Sequence, residues 1–225
     1  MVLPSCYMPQ ISWFARLMSD EPIWVEQWAN YRKQTYHNRC WIDSPNGKLS
    51  LTVPVDRSTF VDGKCLMKDV KVSYHTDWQR QHWYAIESSY FNSPFFEYLQ
   101  DDFHPIYLKR WEWLMDLNET IVDKCCKLID IKADIKRTDE YRENLSDSLS
   151  YPLRLPLLRG RELEAPEALE TPEAPETPEM PEYYQVFAHK HGFLPDLSVI
   201  DLIFNLGPES ILYLQKVGQW LTVKG

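Results

Sequence analysis

Short apolar runs alternate with stretches of helical period through the first half of the chain, and this alternation predicts an α/β protein. Val2 to Tyr7 reads as a short strand. After Pro9, the residues Ile11, Phe14, Ala15, Leu17 and Met18 keep a helical period. Pro22 to Val25 reads as a second strand. Cys40 to Asp43 and Leu49 to Val55 flank Ser44-Pro45-Asn46-Gly47, and Asn-Gly between apolar runs is a hairpin signal. Val70 and Val72 alternate with polar neighbours, as a strand would. Trp78 to Tyr90 places His82, Ile86 and Tyr90 on one helical face. From Pro105 to Ile129, Leu108, Trp111, Leu114, Leu117, Ile121, Cys125 and Leu128 recur at spacings of three and four, which predicts one long helix with a core stripe. Near the end, Tyr183 to Phe187 reads as a strand and His191 to Pro195 as a loop. Asp196 or Ser198 can cap a helix from Val199 to Leu206, with Asp201 at capping-box distance from Ser198. Gly207-Pro208 stops it, and a last helix runs from about Glu209 to Lys216.

Composition changes this picture at one place. From Ala165 to Glu182 the chain runs in triplets ending in Glu, five of the six with a central Pro. Proline at that density forbids helices and sheet ladders and favours the three-residue polyproline II turn, which lines every Glu along one edge. The tract reads either as a docking strip or spacer or as a tolerated expansion of a disordered surface loop. The segment after it is too small to fold alone. The expectation is therefore one α/β domain from residues 1–160 and 183–225, with a mixed or mostly parallel sheet and helices in a three-layer-like arrangement. Residues 161–182 interrupt it as a Pro-Glu-rich linker.

The formal net charge of −9 belongs largely to that insertion: without residues 161–182, 25 acidic residues face 23 basic ones. An acidic balance argues against nucleic acid as a partner. No run of about 18 apolar residues exists, which argues against a membrane-spanning helix. The start has neither the basic residues nor the apolar core of a signal peptide, so a cytoplasmic location is expected. Five cysteines, without zinc-type spacing, read as free thiols. Aromatic residues make up 14% of the chain, more than a core needs, so some rings are expected to line a cleft or partner surface.

Three segments can carry chemistry. Tyr31 to Arg39 is polar and cationic. Arg39 can hold a carboxylate or phosphate through two parallel hydrogen bonds, Lys33 can act as a point charge, Tyr31 and Tyr36 can stack, and Asn38 adds a polar amide. The alternative is a solvated connection. Asp69, with Lys68 and Lys71 around it, precedes Trp78 and His82; His82 is either a general base or a structural histidine. His189, His191 and Asp201 form the third group. No metal is expected there, because no carboxylate-rich spacing supports one; an orienting Asp201 behind a His191 base is one arrangement it allows. Cys6 after the first strand reads as a small buried hydrophobe or, alternatively, a nucleophile. Dinucleotide, Walker, nucleophile-elbow and zincin motifs are absent.

Several of these segments together resemble the WbqC-like family. Cys6-Tyr7-Met8-Pro9 with Trp13-Phe14-Ala15 is similar to the family's tyrosine–leucine–proline opening, with Met8 in place of leucine, a volume-conserving exchange. Tyr31 to Arg39, Asn46-Gly47 and Leu51 to Val55 match a second block. Asp69-Val70, Trp78, His82, Ile86-Glu87-Ser88, Tyr90 and Ser93 to Tyr98 match a third. Asp116-Leu117-Asn118, His191-Gly192-Phe193, Leu197-Ser198, Asp201-Leu202, Phe204-Asn205 and Gly207-Pro208-Glu209 complete the pattern. The Pro-Glu tract stands where longer members carry an ordered segment. The resemblance implies an intracellular bacterial protein tied to surface-polysaccharide (O-antigen-like) biosynthesis. No motif of the family fixes a reaction; the first hypothesis is an enzyme that modifies a nucleotide- or lipid-linked sugar, with acyl or aminoacyl transfer as one route. His82, His191 and Asp201 would be catalytic; Tyr7, Lys33, Tyr36, Asn38, Arg39, Asp69 and Trp78 would bind substrate. The cofactor is unspecified. The rival reading is a non-catalytic module binding a glycan or a protein of the same pathway.

Overall fold

The computed structural model describes residues 1–142 and 180–223, and over them the chain is a mixed α/β fold. Strands β1 (Val2–Pro4), β2 (Ile23–Glu26) and β7 (Ile135–Arg137) pair in parallel in the order β1-β2-β7. The parallel β1–β2 pair needs a crossover, supplied by α1 (Ile11–Ala15), whose five residues are all buried. Strands β3 (Arg39–Ile42) and β4 (Leu49–Thr52) form the expected antiparallel hairpin. Its turn closes through the Gly47 N–H on the Ser44 carbonyl at 2.9 Å, with Gly47 at φ 93°, a conformation that glycine adopts without strain. Strands β5 (Val55–Asp56) and β6 (Lys71–Val72) make a third, separate pair. The strands thus form three small sheets, only one of them parallel.

Helices α2 (Trp78–Tyr90), α3 (Phe96–Leu108) and α4 (Leu114–Leu128) follow. The single helix expected over 105–129 is broken between Leu108 and Leu114, with Pro105 inside the first half and Leu108 71% exposed, outside the core stripe. The break has a tertiary cause. Residues 110–114 turn away to lie beside β6: the Val72 N–H donates to the Glu112 carbonyl at 3.0 Å, Leu114 N–H to Val70 at 2.9 Å, and Trp111 N–H to the Tyr74 hydroxyl at 2.6 Å. Local periodicity cannot register such partners.

Beyond the insertion come α5 (Ala188–His191), α6 (Val199–Leu206) and α7 (Ser210–Val223). Helix α6 is buried at every position from Val199 to Asn205, and Phe204 packs against the rings of Tyr90, Phe96 and Phe103 at 5.1–5.2 Å. Residues 197–199 are sewn into the first part of the chain. Ser198 N–H donates to Trp41, Val199 N–H to Pro9, and Ile11 N–H to Leu197. Ser198 is the N-cap residue, but its hydroxyl makes no cap bond and Asp201 is engaged elsewhere, so the expected capping box does not form. Tyr183 to Phe187 is not a strand: the Gln185 side chain bonds both the N–H and the carbonyl of Leu194, each at 2.9 Å, and folds the segment onto the following loop. Most of the Pro-Glu tract lies outside the described residues. Its end is docked, with Met180 buried and the Pro181 carbonyl accepting from the Tyr213 hydroxyl. All five cysteines are free and buried, and among the described residues no helix is long and apolar enough to cross a membrane.

Candidate functional site

The densest buried polar group centres on Asp201 in the first turn of α6. Its Oδ1 accepts from the Tyr90 hydroxyl at 2.8 Å; its Oδ2 accepts from the Tyr183 hydroxyl and from Gln185 Nε2 at 3.2 Å. Burial pushes the Asp201 carboxyl up to about 6, and the nearby Asp43 charge acts the same way, while the donors from Tyr183, Tyr90 and Gln185 oppose both. Burial also raises Tyr90 and Tyr183 well above the ordinary phenol value, so both stay neutral donors. The Tyr90 hydroxyl in turn accepts from the backbone N–H of Asp43 at 3.2 Å.

Asp43 follows directly after β3, with its carboxylate 1% exposed. It faces His191 Nε2 at 3.0 Å; that nitrogen also lies 3.3 Å from the Ser44 carbonyl, and Nδ1 lies 3.1 Å from the carbonyl of Gly192. The contact is an ion-pair approach rather than an aligned hydrogen bond. Burial raises the Asp43 carboxyl, opposed by His191 and by the amides of Phe187 and Ser44. His191, 20% exposed, meets solvent, as does the partly buried Tyr183. The result is a graded series. A solvent-reaching imidazole stands in front of a buried carboxylate, and Tyr90 links the backbone N–H of that same residue, Asp43, to the Asp201 carboxylate. Gln185 clamps the loop that carries His191.

A second network surrounds His82. Its Nδ1 lies 2.9 Å from the Tyr7 hydroxyl, which lies 3.1 Å from the Tyr107 hydroxyl; the ring also bonds the Thr52 carbonyl. A ring that donates to Thr52 offers Nδ1 as an acceptor, so the Tyr7 hydroxyl donates to His82. Trp78 packs edge-on at 5.1 Å. Burial lowers His82 to about 4, so the ring is neutral near pH 7. Met8 next to Tyr7 has φ 43°, and its Sδ accepts from Tyr107 at 3.7 Å.

The sequence candidates therefore fall into separate places. Tyr7, Trp78 and His82 meet in the sealed aromatic network; His191 and Asp201 meet, through Asp43 and Tyr90, in the other. Both networks hang on the same face of α2, since His82 and Tyr90 are eight residues apart, about 12 Å along the helix. Tyr36 is buried, bonded to Gln10 and close to Asp196. Asn38 donates to the Val53 carbonyl at 2.7 Å and so ties β3 to the residue after β4. Arg39 donates through Nε to the Thr52 hydroxyl at 2.8 Å. Lys33 and Asp69 are exposed at the surface, away from either network. Asp43, Tyr183 and Gln185 were not legible as site residues. Asp43 precedes a Ser-Pro-Asn-Gly turn, where an acidic residue reads as turn chemistry.

Near the His191 loop, Asp196 accepts from both the N–H and the hydroxyl of Ser12 at 2.8 Å, with φ 52°. Lys48 and Arg16 are cations whose charge acts on Asp196; partial burial lowers both, and neither forms an ion pair among the described residues.

This mixed α/β chain matches the WbqC-like protein family over residues 5–165 and belongs to that family, which bears out the resemblance read from its segments. The match ends before the His191 to Glu209 block. A curated relative, the "Uncharacterized protein Rv1507c" of Mycobacterium tuberculosis (strain ATCC 25618 / H37Rv), is 24% identical over 237 residues, covering 95% of this chain and 96% of the relative. No solved structure matches.

Proposed function

We propose that the protein is a transferase of bacterial surface-polysaccharide biosynthesis that modifies a nucleotide- or lipid-linked sugar, with His191 as the proton-transfer group. One observation carries this reading: an imidazole that reaches solvent is backed by a buried carboxylate, Asp43, whose charge acts on a second, Asp201, and whose backbone N–H meets the Tyr90 hydroxyl that Asp201 holds. The Nδ1 edge of His191 meets only the carbonyl of the next residue, a local contact that a sugar hydroxyl or amine displaces. Asp43 then stabilises the imidazolium formed when His191 takes that proton, as carboxylates do behind catalytic histidines. Arg16 and Lys48 supply positive charge for a phosphate-bearing substrate. His82, neutral and sealed, positions α2 against Tyr7.

The test is transfer by the purified full chain from acyl or aminoacyl donors to nucleotide sugars. His191→Gln is expected to lower kcat by about 100-fold or more with KM little changed. Turnover unaffected by this substitution removes the assignment.

A second reading, a partner-binding module, has its own observation. Phe91, Tyr98 and Leu108, at the end of α2 and along α3, are each at least 70% exposed. It expects no turnover with any donor, and a pull-down partner lost on Tyr98→Ser.

A further inference from the structure

A cavity of about 530 Å³ lies between α4 and the parallel sheet, and it shares no lining residue with the His191 group. The register explains its floor. Val25 pairs with Arg137 across the sheet, so Val25, Ile135 and Arg137 share one face. Asn118, Val122 and Cys126, four residues apart on α4, form the opposite wall. From Asn118 to Cys126 the helix rises about 12 Å, which sets the length of that wall of the slot. Its size is that of an ordinary small-molecule site, roughly 300–1,000 Å³.

The walls are mostly apolar, from Trp13, Val25, Val122, Ile131 and Ile135. The thiols of Cys6 and Cys126 belong to this lining, because burial pushes both far above the ordinary thiol value and keeps them protonated. One polar group breaks the pattern. Asn118 is 1% exposed, and its Nδ2 spends both protons, on Ser5 Oγ at 3.1 Å and the His37 carbonyl at 3.0 Å. Its Oδ1 is buried with no donor. Among the described residues this acceptor is unmet, and a guest N–H or O–H satisfies it once the wall yields enough to uncover the oxygen.

Charge at the slot is unevenly satisfied. Arg137 is held by Glu119 and Asp116, and Lys127 by Asp123. Lys132, exposed beyond the end of α4, forms no ion pair among the described residues. One positive charge is thus left over at the end of the slot away from Asn118.

We infer that this slot binds a slender acyl-chain ligand that carries a hydrogen-bond donor at its Asn118 end and an anionic group at its Lys132 end. The inference stands independently of the chemistry at His191.

Calorimetric titration of the full chain with 10-hydroxydecanoate tests it, with decanoate lacking the donor and 1,10-decanediol lacking the charge. The hydroxy acid is expected to bind one-to-one. Decanoate should bind about threefold to tenfold more weakly, the range of one hydrogen bond. The diol should also bind more weakly, and Lys132→Glu should erase its disadvantage. Val122→Trp, or Ala133→Phe if that variant does not fold, should abolish all three. No binding of the hydroxy acid to the wild-type chain, equal binding of all three, or binding that survives a slot-filling substitution overturns the proposal.

Discussion

Two histidines in this molecule stand in nearly opposite surroundings. His82 is sealed among Tyr7, Trp78 and Tyr107, bonded at both ends of its ring, with no carboxylate facing it among the described residues. His191 reaches solvent and faces the buried carboxylate of Asp43. Burial without a counter-charge favours the neutral ring, and so His82 holds the fold. His191 instead has a carboxylate behind it and solvent in front, the placement a proton-transfer group needs. The difference shows that residue type alone does not set a histidine's role; the group opposite it does.

The largest expected effect lies at the carboxylate linking α6 to α2. Asp201→Ala leaves the donors of Tyr90, Tyr183 and Gln185 without their acceptor, and should cost about 3 kcal/mol or more in urea unfolding. A loss under about 1 kcal/mol would mean that these donors find water instead, and the network would not be the keystone described.

The next effect separates the histidines directly. His82→Ala opens a cavity inside an aromatic cluster and strands the Tyr7 hydroxyl, with an expected cost of about 2–4 kcal/mol. His191→Ala removes a partly exposed contact and should cost about 1 kcal/mol or less. Equal losses would break the comparison.

Acidity sharpens it. His37 and His82 lie at about 4 in the folded chain against an ordinary 6.5, both mainly through burial. As the pH falls, the unfolded chain takes up these protons first. Their contribution is therefore fully present above about 6.5 and is lost as the pH drops toward 4. Asp201 works in reverse. Raised from 3.8 to about 6, it takes its proton first in the folded chain, and it favours folding below 3.8 and loses that effect as the pH rises through 6. Between pH 6 and 4 it offsets part of the histidine loss. Denaturation across this range should show a net decline, steeper in Asp201→Asn and shallower in His82→Gln. Parallel profiles in all three proteins would contradict the assignment.

Tyr7→Phe is the mildest change inside the sealed network. It removes a hydroxyl shared by His82 and Tyr107 and should cost about 1 kcal/mol, with transfer activity unchanged. A loss of turnover larger than the loss of stability would move the chemistry to the sealed network.

Several features were legible in the chain because their causes are local. The α/β character, the hairpin at Asn46-Gly47, helix α2, the buried helix from Val199 to Leu206 and its stop at Gly207 each follow from period or turn chemistry. Gly207 shows how local and tertiary demands coincide: φ is 55°, and an added Cβ would lie 2.5 Å from the Phe95 ring. Family membership was legible in the same way, through short blocks of residues.

The site was only half legible. His191 and Asp201 stood out by type, but their connection runs through Asp43 and Tyr90, which lie 148 and 111 positions earlier in the chain. Arg39 and Asn38 read as ligands, and what the chain alone could not show is that each also bonds the β3–β4 hairpin, through Thr52 and Val53. The long helix failed for the same reason that Tyr183–Phe187 failed as a strand. In both places a side chain met backbone elsewhere in the chain: the Tyr74 hydroxyl takes the Trp111 N–H, and the Gln185 side chain takes both backbone groups of Leu194. Sequence by itself determined which segments bury apolar faces, since that depends on spacing a few residues long. Only the tertiary structure decided which polar groups meet, because a buried hydrogen bond depends on whichever acceptor the folded chain places opposite its donor.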